Sequence, residues 1–157
     1  MPPQVLFDLS SIDLTRDLYD QEAIRRVNLQ RGDMEHLNGV VYLDGATGRG
    51  VGYKDVRPDE FWVPWHIPGR PILPGVLMIE SAAQLASFYT RMCLNFQGFV
   101  GFGGVSEVKF RQQVPPGKRL YVLLQRISVR HGHCKCQVQG LVDGALVFDG
   151  IVTGIEM

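Results

Sequence analysis

Residues 60–96 read EFWVPWHIPGRPILPGVLMIESAAQLASFYTRMCLNF, and this stretch decides the fold. Its first part is a loop dense in proline and glycine (Pro64, Pro68, Gly69, Pro71, Pro74, Gly75) that carries one histidine, His66. Its second part, Val76 to Phe96, is apolar almost throughout. Prolines cannot extend a helix backwards and Gly75 is an acceptable N-cap, so a helix is expected to begin there. Val76, Leu77, Met78, Ile79, Ala82, Ala83, Leu85, Ala86, Phe88 and Tyr89 leave it almost no polar side. Such a helix is either a membrane span or the buried axis of a domain. Glu80, Ser81, Gln84, Ser87 and Arg91 interrupt the run before it reaches the about 20 apolar residues that a bilayer core needs. A buried axis is expected.

Glu80, Gln84, Ser87 and Arg91 follow one another at helical spacing and so line a single stripe. A buried carboxylate costs free energy unless it is bonded, paired or protonated. Glu80 is therefore either a satisfied core residue or a catalytic acid whose pKa an apolar pocket raises. A loop histidine taken singly is usually structural. His66, however, precedes a helix N-terminus whose free N–H groups can polarise an oxygen. A base, an acid and an oxyanion donor in one short stretch make a usable catalytic set.

The rest of the chain sets bounds. At 157 residues it has the length of one domain able to bury a core. Lys+Arg and Asp+Glu both total 16, so no global charge recommends nucleic acid or an anionic membrane. Cys93, Cys134 and Cys136 do not suggest a disulfide scaffold. The N-terminal segment lacks the features of a signal peptide, and cytoplasm is the expected compartment.

Residues 1–19 read as an irregular arm and 20–29 as a short helix. Strands are expected at 37–44, 51–57, 98–114, 119–130, 136–142 and 145–156, with Asp143-Gly144 a tight hairpin. The glycines of 45–52 read as a hairpin loop, since no Gly-Lys-Ser/Thr ending and no helix follow. One helical stretch between two groups of strands argues α+β with an antiparallel sheet. His131-Gly132-His133-Cys134-Lys135-Cys136 packs four metal-ligand types together, but on a strand the histidines and cysteines face opposite ways, so no metal site is expected. From Lys109 to Val142 there are seven basic residues and no acidic one. This is either a solvated sheet face or a docking surface for an acidic partner.

The string from His66 to Gln84 closely resembles the signature of the 3-hydroxyacyl-[acyl-carrier-protein] dehydratases. Weaker likeness extends over about 20–155: His36 and Asp44 fit the ends of a family segment, though Leu37, Asn38 and Gly39 depart from it. VKFRQQVPPG (108–117) and LVDGALVFDG (141–150) match a strand-turn and the final hairpin. The resemblance implies the hot-dog fold, an antiparallel sheet wrapped around a long central helix, over residues 20–157. It implies dehydration of a (3R)-3-hydroxyacyl thioester on acyl carrier protein to the trans-2-enoyl thioester, with no cofactor.

By the same resemblance, His66 takes the C2 proton and Glu80 acts at the leaving hydroxyl. The Gly75 N–H stabilises the enolate-like oxygen. Val76, Gln84 and Trp65 contact or support the substrate site, and Trp65, in place of a small residue, would narrow its entrance. His66 and Glu80 of one site would come from different subunits of a dimer, alone or within a hexamer. Two other readings of the same fold stay open: an acyl thioesterase, and a non-catalytic acyl-carrier-binding subunit.

Overall fold

Helix α2, Gly75–Cys93, is the element on which the others are laid. Ala82, Leu85, Phe88 and Tyr89 along it are wholly buried. The structure, a computed structural model, describes residues 4–157, and the first three residues of the expected arm lie outside the described residues. Six strands surround the helix: β1 Gly39–Asp44, β2 Arg49–Asp55, β3 Val100–Phe110, β4 Arg119–Arg130, β5 His133–Val142 and β6 Ala145–Glu156. They form one sheet in the order β1-β2-β4-β5-β6-β3, antiparallel at each pairing, with β1 and β3 at the edges. Val122 and Leu124 of β4, Cys134, Cys136 and Val138 of β5, and Phe148 and Val152 of β6 form the inner face packed on the helix. This is the antiparallel sheet around a central helix that the sequence predicts. Among the described residues no helix is long and apolar enough to cross a membrane.

The glycines of the β1–β2 hairpin serve two purposes. Gly48 has φ +70°, the left-handed conformation that a tight turn requires. Gly52 lets the helix approach, because a Cβ there would lie 2.6 Å from Leu37 and 3.3 Å from Leu85. At the β5–β6 turn Asp143 (φ 50°) and Gly144 (φ 77°) make the expected tight hairpin.

Element ends differ from expectation for local reasons. Pro74, not Gly75, is the N-cap of α2, and its carbonyl takes the N–H groups of Leu77 and Met78. The helix stops at Cys93, short of Phe96: Asn95 turns left-handed (φ 59°), and the N–H groups of Leu94 and Phe96 both return to the Thr90 carbonyl. Helix α1 covers only Gln21–Arg25, because Arg31 folds back and its guanidinium binds the carbonyls of Arg25, Asn28 and Gln30. Strand β3 ends at Phe110 after two bulges, at Phe102/Gly104 and Ser106/Lys109.

Residues 4–18 are irregular in conformation yet firmly seated. They cross the outer face of the sheet as a strap. Phe7 is 6% exposed and packs with Val51, Tyr53, Leu123 and Leu141 in a second apolar cluster. The Gln139 side chain accepts from the Leu6 N–H and donates to the Gln4 carbonyl. Tyr53 Oη donates to Asp17, and the Arg49 guanidinium lies 5.0 Å from the Phe7 ring centroid. Phe7→Ala removes the centre of this cluster and is expected to cost about 3 kcal/mol in a denaturant titration; an unchanged midpoint would show that the strap rests on the sheet without contributing.

Candidate active site

The loop between β2 and α2 is positioned before its histidine is reached. Val56 exchanges backbone hydrogen bonds with the 117–118 turn, at 2.9 Å to the Lys118 carbonyl and 2.7 Å from the Gly117 N–H. Glu60 then fixes the loop's entry: one oxygen takes Lys54 Nζ at 2.5 Å, the other the Arg57 N–H at 2.8 Å. Both side chains of this ion pair are buried, at 2% and 7% exposure. Burial pulls the Lys54 ammonium below its ordinary range, and the Glu60 carboxylate opposes that. Trp62, 3% exposed, is the loop's apolar anchor, and its carbonyl accepts the N–H groups of Trp65 and His66. The loop is closed by Leu73 N–H to the Val114 carbonyl at 2.8 Å.

His66 itself is exposed, with Nδ1 2.8 Å from the Ile72 carbonyl. A carbonyl only accepts, so this contact assigns the proton to Nδ1. In the neutral ring that tautomer leaves the lone pair on Nε2, as a general base requires.

Glu80 is half-buried on α2 and its Oε1 accepts from Gln84 Nε2 at 2.8 Å. The Gln84 carboxamide has its remaining positions filled. Nε2 also donates to the Met34 carbonyl at 2.7 Å, and Oε1 accepts the His36 N–H at 3.0 Å. Because the oxygen is committed to His36, the amide nitrogen must face Glu80. Glu80 and Gln84 border a cavity of about 140 Å³ that runs along the helix between Ser87, the start of β3 and Val152–Gly154 of β6.

The remaining expected site residues lie elsewhere. The His66 loop contributes nothing to the lining of the Glu80 cavity within one chain. Trp65 is 79% exposed and Val76 68% exposed, and neither lines that cavity. Gly75, the first residue of α2, has its Cβ position filled by Phe110, whose ring would lie 2.7 Å from an added carbon. The basic run of 109–142 is not one free face: Arg111 pairs with Asp149, Lys118 with Asp143 and Arg119 with Asp55, while Arg126 donates to Tyr89 Oη. Cys134 and Cys136 turn into the core with their sulfurs 3.6 Å apart, whereas His133 on the opposite face is exposed.

Sequence reading passed over several neighbours of the site. Gln30 lines the Glu80 cavity from a loop far away in sequence, and no local pattern marks it. The Lys54–Glu60 pair stands i to i+6 across a strand end, a spacing that carries no motif. His36 was noted only as a segment end. It is 1% exposed, neither ring nitrogen has a partner among the described residues, and burial first, Lys54 second, lower its pKa to about 4.

An antiparallel sheet curled round one helix in this strand order is the hot-dog fold. The chain superposes on a dehydratase heterocomplex from Xenorhabdus doucetiae with a TM-score of 0.73 at 15% identity, covering 90% of this chain and 93% of that one. It also superposes on a mutant thioesterase from Pseudomonas aeruginosa with a TM-score of 0.66 at 16% identity, over 89% and 95% of the two chains. Within that fold the chain belongs to the FabA-like domain family, whose model matches residues 28–151. It is 38% identical over 103 residues to the 3-hydroxyacyl-[acyl-carrier-protein] dehydratase FabZ of Acetivibrio thermocellus, spanning 65% of this chain and 70% of that protein. The corresponding enzyme of Alkaliphilus metalliredigens is 37% identical over 106 residues, 67% of this chain and 72% of that protein.

Two measurements test the groups that hold the site. The folded protein keeps His36 neutral down to about pH 4, whereas the unfolded chain protonates it near 6.5. Stability is therefore full above pH 6.5 and falls as pH drops below it, by about 2 kcal/mol at pH 5. Denaturant titrations at pH 7.5 and 5 should show this slope, and His36→Leu should flatten it; equal slopes would mean that His36 does not carry it. Lys54→Met leaves the Glu60 carboxylate buried and unpaired and is expected to cost about 3–5 kcal/mol, most of it recovered in Lys54→Met/Glu60→Leu. A thermal melt in which the double variant is no better than the single one would contradict the pairing.

Proposed function

We propose that this protein dehydrates (3R)-3-hydroxyacyl-[acyl-carrier-protein] to the trans-2-enoyl thioester in acyl-chain synthesis. The family and the names of its relatives support the reaction. The observation that carries the assignment of roles is the Nδ1 contact of His66 to the Ile72 carbonyl, which leaves Nε2 as the base.

The C2 proton of a thioester becomes acidic when the carbonyl oxygen is polarised. The Gly75 N–H at the start of α2 is the donor assigned to that oxygen, with Val76 beside it. Nε2 of His66 takes the C2 proton, and the electron pair moves into the carbonyl to give an enolate-like species. Glu80 acts at the 3-hydroxyl, supplying the proton that it takes as it leaves. As the C3–O bond breaks, water leaves and the C2–C3 double bond forms. The proton on His66 then returns to Glu80 through solvent, so the cycle loses one water and nothing else. Gln84 holds the Glu80 carboxyl at a fixed angle during this exchange.

Among the described residues His66 is not in the lining of the cavity that Glu80 borders, and the reading therefore calls for a second copy. Among the described residues the edge strand β3 has no neighbour on its outer side. Phe99, just before it, and Phe102, Val105 and Phe110 on it are exposed by 45–51%. An unpaired strand edge with four large apolar side chains is what a second β3 would cover. Pairing there would bring the partner's loop, with its Trp65 and His66, toward Glu80.

The test is turnover of a 3-hydroxyacyl thioester on acyl carrier protein, following enoyl absorbance and free thiol separately. Enoyl should form in the dimer fraction from gel filtration and not in a monomer fraction. His66→Ala and Glu80→Gln should each lower the rate by at least about 10²-fold without altering the oligomer. Thiol release without enoyl would move the protein to the thioesterases, and carrier binding with neither product would make it a non-catalytic carrier-binding subunit.

A further inference from the structure

The His66 loop carries a single permanent charge. Residues 61–79 hold no Asp or Glu, and Arg70 is their only Lys or Arg. Pro68 and Gly69, the glycine at φ +79°, are the central residues of a turn that the Arg70 N–H closes on the Ile67 carbonyl at 2.9 Å. Such a turn keeps the first and last Cα atoms within about 7 Å of each other. Arg70 is thereby fixed close to the residue that follows His66, and both side chains are exposed.

What holds Arg70 is neutral. Its Nη2 donates to Gln113 Oε1 at 3.0 Å, and among the described residues no carboxylate pairs with it. Arg57 at the loop's entry, and Arg111 and Lys118 on either side of Gln113 in the chain, are each paired with an aspartate. Gln113 is itself placed, because the next residue, Val114, is buried and its carbonyl takes the Leu73 N–H at the loop's exit. A carboxamide oxygen orients a guanidinium without cancelling its charge, and it leaves other N–H groups of the fork for an anion.

The substrate's chemistry supplies that anion. On an acyl carrier protein the thioester stands at one end of a phosphopantetheine arm and a phosphodiester at the other, with uncharged amides and a gem-dimethyl group between. Exposed Trp65 and Ile67 suit the uncharged part. The guanidinium suits phosphate oxygens, with which arginine makes paired, charge-assisted hydrogen bonds. Because Trp65, His66, Ile67 and Arg70 share one loop, the arrangement is the same whichever subunit contributes Glu80.

Resting on the dehydratase reading, we propose that Arg70, oriented by Gln113, binds the phosphate of the carrier's phosphopantetheine arm while His66 meets the acyl group at the arm's other end.

The experiment compares kcat/KM for one 3-hydroxyacyl chain carried on 4′-phosphopantetheine and on pantetheine, at low ionic strength. Neither arm brings the acidic side chains of a carrier protein, so their ratio reports the phosphate alone. The phosphorylated arm should be preferred by about fivefold or more. Arg70→Gln should bring the ratio close to one. Gln113→Leu should lower it, which keeps the comparison available if Arg70→Gln does not fold. Lys118→Gln removes a cation that Asp143 already pairs and should leave the ratio as it is. Where only the carrier-linked substrate turns over, the same ratio is read from competitive inhibition by the two arms. Equal values for both arms overturn the proposal and leave the dehydratase standing. So does a preference untouched by Arg70→Gln or, where that variant does not fold, by Gln113→Leu, and so does one lost equally in Lys118→Gln. Absence of enoyl from every substrate, the carrier-linked one included, overturns the dehydratase reading itself.

Discussion

The carboxamide of Gln84 is the constraint that ties the site to the fold. It sits on a helix that is otherwise apolar, in a place where an unpaired polar group would be costly. Its oxygen is taken by the backbone of His36 and its nitrogen by the Met34 carbonyl and Glu80. One side chain thereby joins the loop before β1, the central helix and the carboxylate assigned to the chemistry. Asn28 adds a second tie from the same region, donating to the Gln84 carbonyl at 2.9 Å. Through Gln84, Glu80 is tied to the backbone of Met34 and His36.

The His66 loop is held by a different logic. Its prolines limit the conformations available to it, but the anchors are a buried ion pair at its entry, Trp62 in its middle and a backbone bond from Leu73 at its exit. Buried ion pairs contribute little net stability compared with apolar replacements. Their value here is geometric: Glu60 binds strand β2 through Lys54 and the loop through the Arg57 N–H, so the loop cannot slide relative to the sheet.

Much of the architecture was legible in the sequence because it rests on local rules. The apolar run after Pro74 specifies a buried helix, and Asp143-Gly144 specifies a two-residue turn. The His131-Gly132 turn between β4 and β5 was not legible, since the alternation of histidine and cysteine over 131–136 reads as a strand, whereas His131 is left-handed there (φ 50°). Helix α1 ends at Arg25, whose carbonyl the Arg31 guanidinium takes, a contact that no local pattern marks. Of the candidate site, His66, Gly75, Glu80 and Gln84 share one stretch and could be named together. Gln30, Lys54 and the cavity wall of β3 and β6 could not, because only the long-range pairing of the sheet brings them near.

The strap of residues 4–18 also orders events in time. Gln4 and Leu6 bond to Gln139, 135 and 133 positions away in the chain. During synthesis the strap leaves the ribosome before the strands it covers, and its partner surface on β2, β4 and β5 is incomplete until β5 has followed. Contacts of such sequence separation close slowly, because the loop between their ends must first be ordered. The strap is therefore made before the strands it covers yet finds its place late, and until it does, the outer face of the sheet around Val51, Tyr53 and Leu123 is open to water and to other nascent chains.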